Sequence, residues 1–243
     1  MNTKYKPAIH FNDVTYTIND NVILKRITGS FPEGKITTLV GPSGAGKTTL
    51  LKLCNHLISA GSGEIYIKDK AIEQYEPVEL RKLVGMALQS APMVEGTVFE
   101  NLSLPLSLQG EKLDPKEAEE LLEDVGLGKE YLHRSSTDLS GGQRQKVSIA
   151  RTLVNRPKVL LLDEITSSLD FASLHEIEEL ISKINQKYGT TIIWITHNLK
   201  QALLIGNYTW VMMDGEVIET GESSLLESPV NEKVRRFVKG EAE

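Results

Sequence analysis

Ile36-Thr37-Thr38-Leu39-Val40-Gly41-Pro42-Ser43-Gly44-Ala45-Gly46-Lys47-Thr48-Thr49 changes character twice. Its first five residues are β-branched or aliphatic, the composition of a buried strand. Glycines follow at Gly41, Gly44 and Gly46, and over residues 47–57 apolar residues return at helical spacing. Such a loop lets consecutive backbone N–H groups turn inward around phosphate oxygens, and the helix behind it adds the positive end of its dipole. Pro42, Ser43, Ala45 and Thr49 complete the cradle, Lys47 reaches the β- and γ-phosphates, and the Thr48 hydroxyl is placed to ligate Mg²⁺. Strand, glycine loop and helix in this order predict an α/β core that binds a nucleotide through its phosphates.

The rest of the chain is consistent with one such core. Its 243 residues, 40% hydrophobic and 25% charged, suit one large domain or a core with a small insert. A net charge of -6 provides no basic field, which argues against nucleic acid as a partner. Cys54 lies among leucines at helical spacing and reads as a small core residue rather than a redox site. Polar sequence follows the first six residues, and no run approaches the ~18 apolar residues of a membrane span. The expected chain is soluble and cytoplasmic, reaching a membrane only through a partner.

Short strands are predicted over residues 8–16, 22–27, 36–40 and 64–68. Residues 89–139 differ: no buried strand is evident, and the clearest element is a helix capped by Asp114, with Pro115 first, Glu117 three residues after the cap, and Gly126 as its stop. Beyond it the pattern predicts a helix over 141–155, a strand over 159–162, a helix over 172–187 and a strand over 191–196. Asp214-Gly215 then joins two strands of a hairpin. Apolar strands alternating with helices imply a mainly parallel sheet covered on both faces. The expected organisation is a single domain over 1–243: residues 1–88 and 140–243 form the nucleotide-binding core, with an antiparallel β part at its N-terminal end, and 89–139 are an inserted helical subdomain.

Two further segments carry chemistry. Val159-Leu160-Leu161-Leu162-Asp163-Glu164 is an apolar strand ending in two carboxylates at the carboxyl edge of the sheet, where open α/β folds bind ligands. Asp163 suits Mg²⁺, directly or at one remove, and Glu164 suits a water attacking the γ-phosphate. Leu139-Ser140-Gly141-Gly142-Gln143 opens a second helix with a serine cap and two glycines, a bare N-terminus for an anion. Glycines weaken a first turn, so two together need a reason.

With these residues in view, the chain resembles the ATP-binding subunit of an ABC transporter over nearly its whole length. Residues 41–48 match the Walker A loop of a P-loop NTPase, 139–143 the signature sequence, and 159–164 the Walker B strand with its catalytic glutamate. The resemblance implies roles for four more positions: Tyr16 stacking on adenine, Gln89 sensing Mg²⁺ and coupling to the membrane subunit, Asp170 of Ser168-Leu169-Asp170 communicating across a dimer, and His197 contacting the γ-phosphate. It also implies ATP and Mg²⁺ as cofactors, an integral membrane permease as partner, and a location on the inner face of the cell membrane through that permease. The signature would serve the nucleotide of a second copy in a head-to-tail homodimer, so a single chain is expected to hydrolyse ATP poorly.

Ile165 stands where most of the family carries proline. With residues 89–92 and 96–105 it makes the chain similar to the small Fet-type group of bacterial ABC ATPases, associated with iron export or metal-stress resistance. ATPases of phosphate or polar amino-acid importers share this size and layout and remain the alternative. A soluble ABC ATPase of DNA repair or translation would need a long coiled-coil insert or tandem cassettes, and neither is visible.

Overall fold

The computed structural model describes residues 5–241. β1 (Pro7–Ile18) and β2 (Asn21–Pro32) form an antiparallel hairpin, longer at both ends than the sequence pattern suggests. Its turn residues Asn19 and Asp20 both have positive φ, as a hairpin turn of matching twist requires, and their side chains tolerate it. β3 (Ile36–Val40) leaves this hairpin for a second sheet, while β4 (Ser62–Ile67) and β5 (Lys70–Ala71) return to the first, giving the order β2-β1-β4-β5. The second sheet adds β6 (Val84–Ala87), β7 (Val159–Asp163), β8 (Thr191–Ile195), β9 (Tyr208–Met213) and β10 (Glu216–Glu222) in the order β10-β9-β3-β8-β7-β6. Only β10 is antiparallel to its neighbour. The mainly parallel core and the antiparallel N-terminal sheet are as expected.

Alternation along the central strands shows why they are apolar throughout. Leu160 and Leu162 of β7, with Ile192 and Trp194 of β8, face one core; Val159, Leu161, Ile193 and Ile195 face another. The first core is closed by helices, the second by the antiparallel sheet together with α1 (Lys47–Cys54). α1 stops at Cys54, three residues short of the predicted end, because His56 adopts a left-handed conformation.

α2 (Pro77–Leu83) precedes β6, and the insert then contains two helices where one was evident. α3 (Val98–Ser107) starts with a capping box in which Thr97 accepts from the Glu100 N–H and donates its own N–H to Glu100 Oε2. Pro105 inside it hides the helix from sequence reading. α4 (Pro115–Asp124) has the predicted cap, yet Asp114 accepts from the Lys116 N–H, and Glu117 turns outward to Arg156 at 2.7 Å instead of reaching back. Val98, Leu102, Ala118 and Leu122 of these helices join the same core as Val147 and Ala150 of α5 (Gly141–Leu153) and Ile177 of α6 (Phe171–Tyr188). α7 (Leu199–Ile205) and α8 (Glu232–Val238) enclose a small third cluster with Val211 and Met213 of β9.

Cys54 is fully buried, its thiol donating to the Leu50 carbonyl at 3.2 Å, and burial pushes its pKa far above the ordinary thiol value. The thiolate is the reactive form. Labelling by a thiol reagent at pH 8 is therefore expected to be limited by unfolding; reaction of the folded chain at the rate of a free thiol would contradict this packing.

Candidate phosphate and water-activation site

β3 delivers the glycine loop to the carboxyl edge of the large sheet. Gly41 has φ 144°, and a Cβ there would lie 1.9 Å from the Met212 carbonyl oxygen, because β9 runs in register beside β3. No larger residue fits without moving β9. The loop and the start of α1 line a cleft of about 330 Å³ with Ile23, Ser43, Gly44, Ala45, Gly46, Lys47, Thr48, Thr49 and Glu164. Lys47 is 5% exposed and donates to the Gly41 and Pro42 carbonyls at 2.9 and 2.8 Å. Burial holds its ammonium below the usual lysine range, partly offset by Glu164 and Asp163.

Both carboxylates arrive at the end of β7. Asp163 Oδ1 accepts from the Thr48 hydroxyl at 3.0 Å. Burial raises its pKa above the ordinary aspartate value and the neighbouring Glu164 adds to this, against the lowering effect of Thr48, Lys52 and Lys47. Glu164 has φ 50°, its N–H bonds the Ile195 carbonyl of β8 at 3.2 Å, and its Oε1 lies 2.7 Å from His197 Nε2. A non-glycine residue held in the left-handed region is a strained position that surrounding structure must fix. Asp163 pairs in register with Ile195, so the ends of adjacent strands β7 and β8 bring Glu164 and His197 together.

The other predicted site residues surround this centre or lie apart from it. Gln89, just after β6, donates to the Ser167 hydroxyl at 2.9 Å and so ties the loop after β6 to the loop after β7. Tyr16 of β1 packs on the core between the sheets; Ile23 of β2, not Tyr16, lines the cleft. Leu139, Ser140, Gly141, Gly142 and Gln143 are outside the cleft lining altogether. Ser140 caps α5 in a complete capping box: its Oγ accepts from the Gln143 N–H at 3.2 Å and its N–H donates to Gln143 Oε1 at 2.9 Å. Leu139 is buried, while Ser140 and Gly141 are exposed. Gly142 approaches α6 so closely that a Cβ would lie 2.9 Å from Ser173 Oγ. Ser173 also binds Asp170, which caps α6 by accepting from the Ser173 N–H and hydroxyl, each at 2.9 Å, contacts that hold the Asp170 carboxyl below its ordinary pKa. The two helix starts thus form one exposed patch. Ser167 and Ile23 were not singled out by the sequence. Ser167 sits inside the segment between the carboxylates and Asp170, a positional hint, whereas Ile23 carries no local signal.

A testable cost follows from the Asp163 environment. Its folded pKa is raised, so the folded chain binds the proton more readily than the unfolded chain, and this group's contribution to stability is full below the unfolded value and is lost as pH rises from there through the folded value. At neutral pH the charged carboxylate is a net cost to the ligand-free fold. Asp163→Asn keeps an acceptor for Thr48 and removes the charge. It is expected to raise the Tm of the ligand-free chain at pH 7.5, and a lowered Tm would contradict this reading of the burial cost.

Comparison with known proteins agrees with this geometry. The model of the ABC transporter family matches residues 24–167. YjkB of Bacillus subtilis (strain 168), named as an ABC transporter ATP-binding protein, is 42% identical over 243 residues, covering 98% of this chain and 96% of its own. ABC transporter I family member 17 of Arabidopsis thaliana is 35% identical over 234 residues, covering 96% and 89%. Among solved structures, cbiO1 from Clostridium perfringens, part of the ABC transporter complex cbiONQ, superposes with TM-score 0.84 at 27% identity, covering 96% of this chain and 98% of that one. The cassette MJ0796, in a dimeric post-hydrolysis state bound to ADP and Pi, gives 0.77 at 30% identity over 88% and 98%. Among the described residues no helix is long and apolar enough to cross a membrane. The family match spans more than half of the chain and the relatives nearly all of it, so the chain belongs to the ABC transporter family, as an ATP-binding domain that hydrolyses ATP.

Proposed function

We propose that this chain is the ATPase subunit of a bacterial ABC transporter, acting as an ATP-dependent head-to-tail homodimer beneath a separate integral membrane permease, in the export of iron or another metal. The observation that carries the dimer is the separation of two anion-binding helix starts: the loop of residues 41–49 opens on one cleft, and Ser140, Gly141 and Gly142 lie outside it on an exposed patch with Asp170. Each completes its counterpart on a second copy, with Leu139 and Gln143 fixing the signature helix start. The dimeric MJ0796 cassette supports this arrangement. Membership of cbiO1 in the ABC transporter complex cbiONQ supports a membrane partner, through which the chain would sit on the inner face of the cell membrane.

Thr48 and Asp163 present a hydroxyl and a carboxylate within 3.0 Å of each other, a hard oxygen donor set that suits Mg²⁺, with Gln89 as a further oxygen donor. Bound there, Mg²⁺ would neutralise charge on the β- and γ-phosphates. Lys47 exchanges its loop carbonyls for phosphate oxygens, Glu164 takes the proton of the attacking water, and His197 orients Glu164 and meets the γ-phosphate. Tyr16 stacks on the adenine, and Asp170 relays the state of one site to the other. In this reading residues 1–88 and 140–243 are the nucleotide-binding core and 89–139 the helical subdomain that meets the permease. The metal-export reading rests on Ile165 and on the segments around residues 89–92 and 96–105.

Phosphate release at saturating ATP and Mg²⁺, measured over a protein-concentration series with and without the membrane partner, tests the assembly. The expected rate per chain rises with concentration and with the permease, and Ser140→Ala lowers it. A rate per chain independent of concentration would remove the dimer. Identifying the permease that co-purifies tests the cargo: a phosphate or amino-acid permease would overturn metal export.

A further inference from the structure

Behind the water-activation residues lies a buried polar connection that the roles above do not use. Glu178, on α6, is 7% exposed, Gln201, on α7, is 1% exposed, and Thr166, two residues beyond Glu164, is 7% exposed. Gln201 Nε2 donates to Glu178 Oε1 at 2.8 Å, and Gln201 Oε1 faces the Thr166 hydroxyl at 3.4 Å. The Gln201 N–H also donates to Asn198 Oδ1 at 3.2 Å, inside the turn that follows His197. On its outer side Glu178 Oε2 lies 3.4 Å from His175 Nδ1. A buried carboxylate and a buried carboxamide are costly unless hydrogen-bonded, so an apolar pair would be the simpler way to join α6 to α7. What the polar pair adds is direction, because an amide has one donating and one accepting end.

Those two ends reach different moving parts of the proposed machine. Asp170 caps α6, α7 begins immediately after His197 and Asn198, and Thr166 lies inside the strained turn that starts at Glu164 with φ 50° and is closed by the Ser167 N–H on the Glu164 carbonyl. The Gln201 side chain therefore joins the turn carrying the water-activating carboxylate to the helix led by the exposed patch residue, while its backbone N–H is held by Asn198 in the turn carrying the histidine that lies 2.7 Å from Glu164. We infer that Gln201, oriented by Glu178, is a positioning residue: it sets the Glu164–Thr166 turn against His197 so that Glu164 faces the attacking water. This rests on the assignment of Glu164 and His197 proposed above. Neither Gln201 nor Glu178 lines the cleft of the phosphate loop, so their effect should fall on the chemical step rather than on ATP binding.

The test compares Gln201→Leu, Gln201→Glu and the swapped pair Glu178→Gln with Gln201→Glu, by steady-state phosphate release, with melting curves to show that each variant is folded. Gln201→Leu removes both contacts and is expected to lower kcat about tenfold with the KM for ATP within about twofold, since small misplacement of a reacting group costs this much or more. Gln201→Glu sets two carboxylates against each other and is expected to slow the enzyme similarly. The swapped pair restores one carboxylate and one amide across the same contact and is expected to recover kcat to within about threefold of wild type. If Gln201→Leu does not fold, the comparison of Gln201→Glu with the swapped pair decides by recovery alone. A kcat unchanged in folded Gln201→Leu, a KM that rises in step with the loss, or a swapped pair as slow as Gln201→Glu would each overturn the inference while leaving Glu164 in its role. A fully active Glu164→Gln protein assayed alongside would instead overturn the assignment on which the inference depends.

Discussion

Glu164→Gln is expected to bind ATP, to lose at least about 100-fold in kcat, and to accumulate as an ATP-bound dimer. A positioned general base contributes typically ~10²–10⁴-fold, and the amide cannot accept the proton of the attacking water. The substitution preserves everything else that can be seen at this position. Side-chain volume is unchanged, an amide can still meet His197 Nε2, where Oε1 now lies 2.7 Å away, and the backbone bond from residue 164 to Ile195 is unaffected. Removing one negative charge beside a triphosphate also favours retention of ATP. Lys47 and Thr48, which would hold the phosphates, lie on a different element and remain in place. Hydrolysis is the step that would release the two copies, so a variant that binds without hydrolysing should stay closed. Light scattering with saturating ATP and Mg²⁺ provides the measurement: a monomer under those conditions would remove the head-to-tail assembly. A kcat within tenfold of wild type would remove Glu164 as the base, and the two failures are separable.

What could be read from sequence follows from how each residue acts. The core strands were legible because each is buried on both faces and therefore apolar or β-branched at nearly every position, as the full burial of Ile36–Val40 and Thr191–Ile195 shows. β6 escaped notice because it is four residues long and contains Gly85, which packs where Thr152 and Pro157 leave no room for a side chain. α3 escaped because Pro105 reads as a helix breaker, although its capping box at Thr97 and Glu100 is a local signal that marks the helix start correctly. The loop, the paired carboxylates and the Ser140 cap were legible because each is a set of residue types at fixed spacing within one segment. Gln201 and Glu178 show the opposite case: 23 residues apart in sequence, they matter only through a contact between two helices. Ile23 is equally silent, entering the cleft from a neighbouring strand with no motif around it. Spacing within one segment can be read, but contacts between segments await the fold.

Trp210→Ala is expected to have a large effect on stability, because this side chain anchors the aromatic contact between the two sheets. Trp210 belongs to β9 of the large sheet, yet its ring lies 4.5 Å from Phe31 and 6.0 Å from Phe11, centroid to centroid, and both partners belong to the antiparallel sheet. Phe11 and Phe31 pack edge to face at 5.5 Å and are fully buried, as Trp210 nearly is at 3% exposure. Truncating a buried tryptophan costs roughly 3–5 kcal/mol, a large share of the ~5–15 kcal/mol that usually separates folded from unfolded states. For a chain of this length that corresponds to a fall in Tm of about 6–20 °C. The consequence reaches the site through register: Trp210 pairs with Leu39 and Val211 with Val40, immediately before Gly41 meets the Met212 carbonyl. Loosening β9 there should disturb both the seat of the phosphate loop and the placement of Tyr16 on the other sheet, so surviving folded protein is expected to bind ATP more weakly. Trp210→Phe retains an aromatic face toward Phe31 and should lose much less. Thermal melting and ATP titration of both variants check this, and a Trp210→Ala protein within about 1 kcal/mol of wild type would show that the aliphatic contacts of the shared core, not the aromatic cluster, hold the two sheets together.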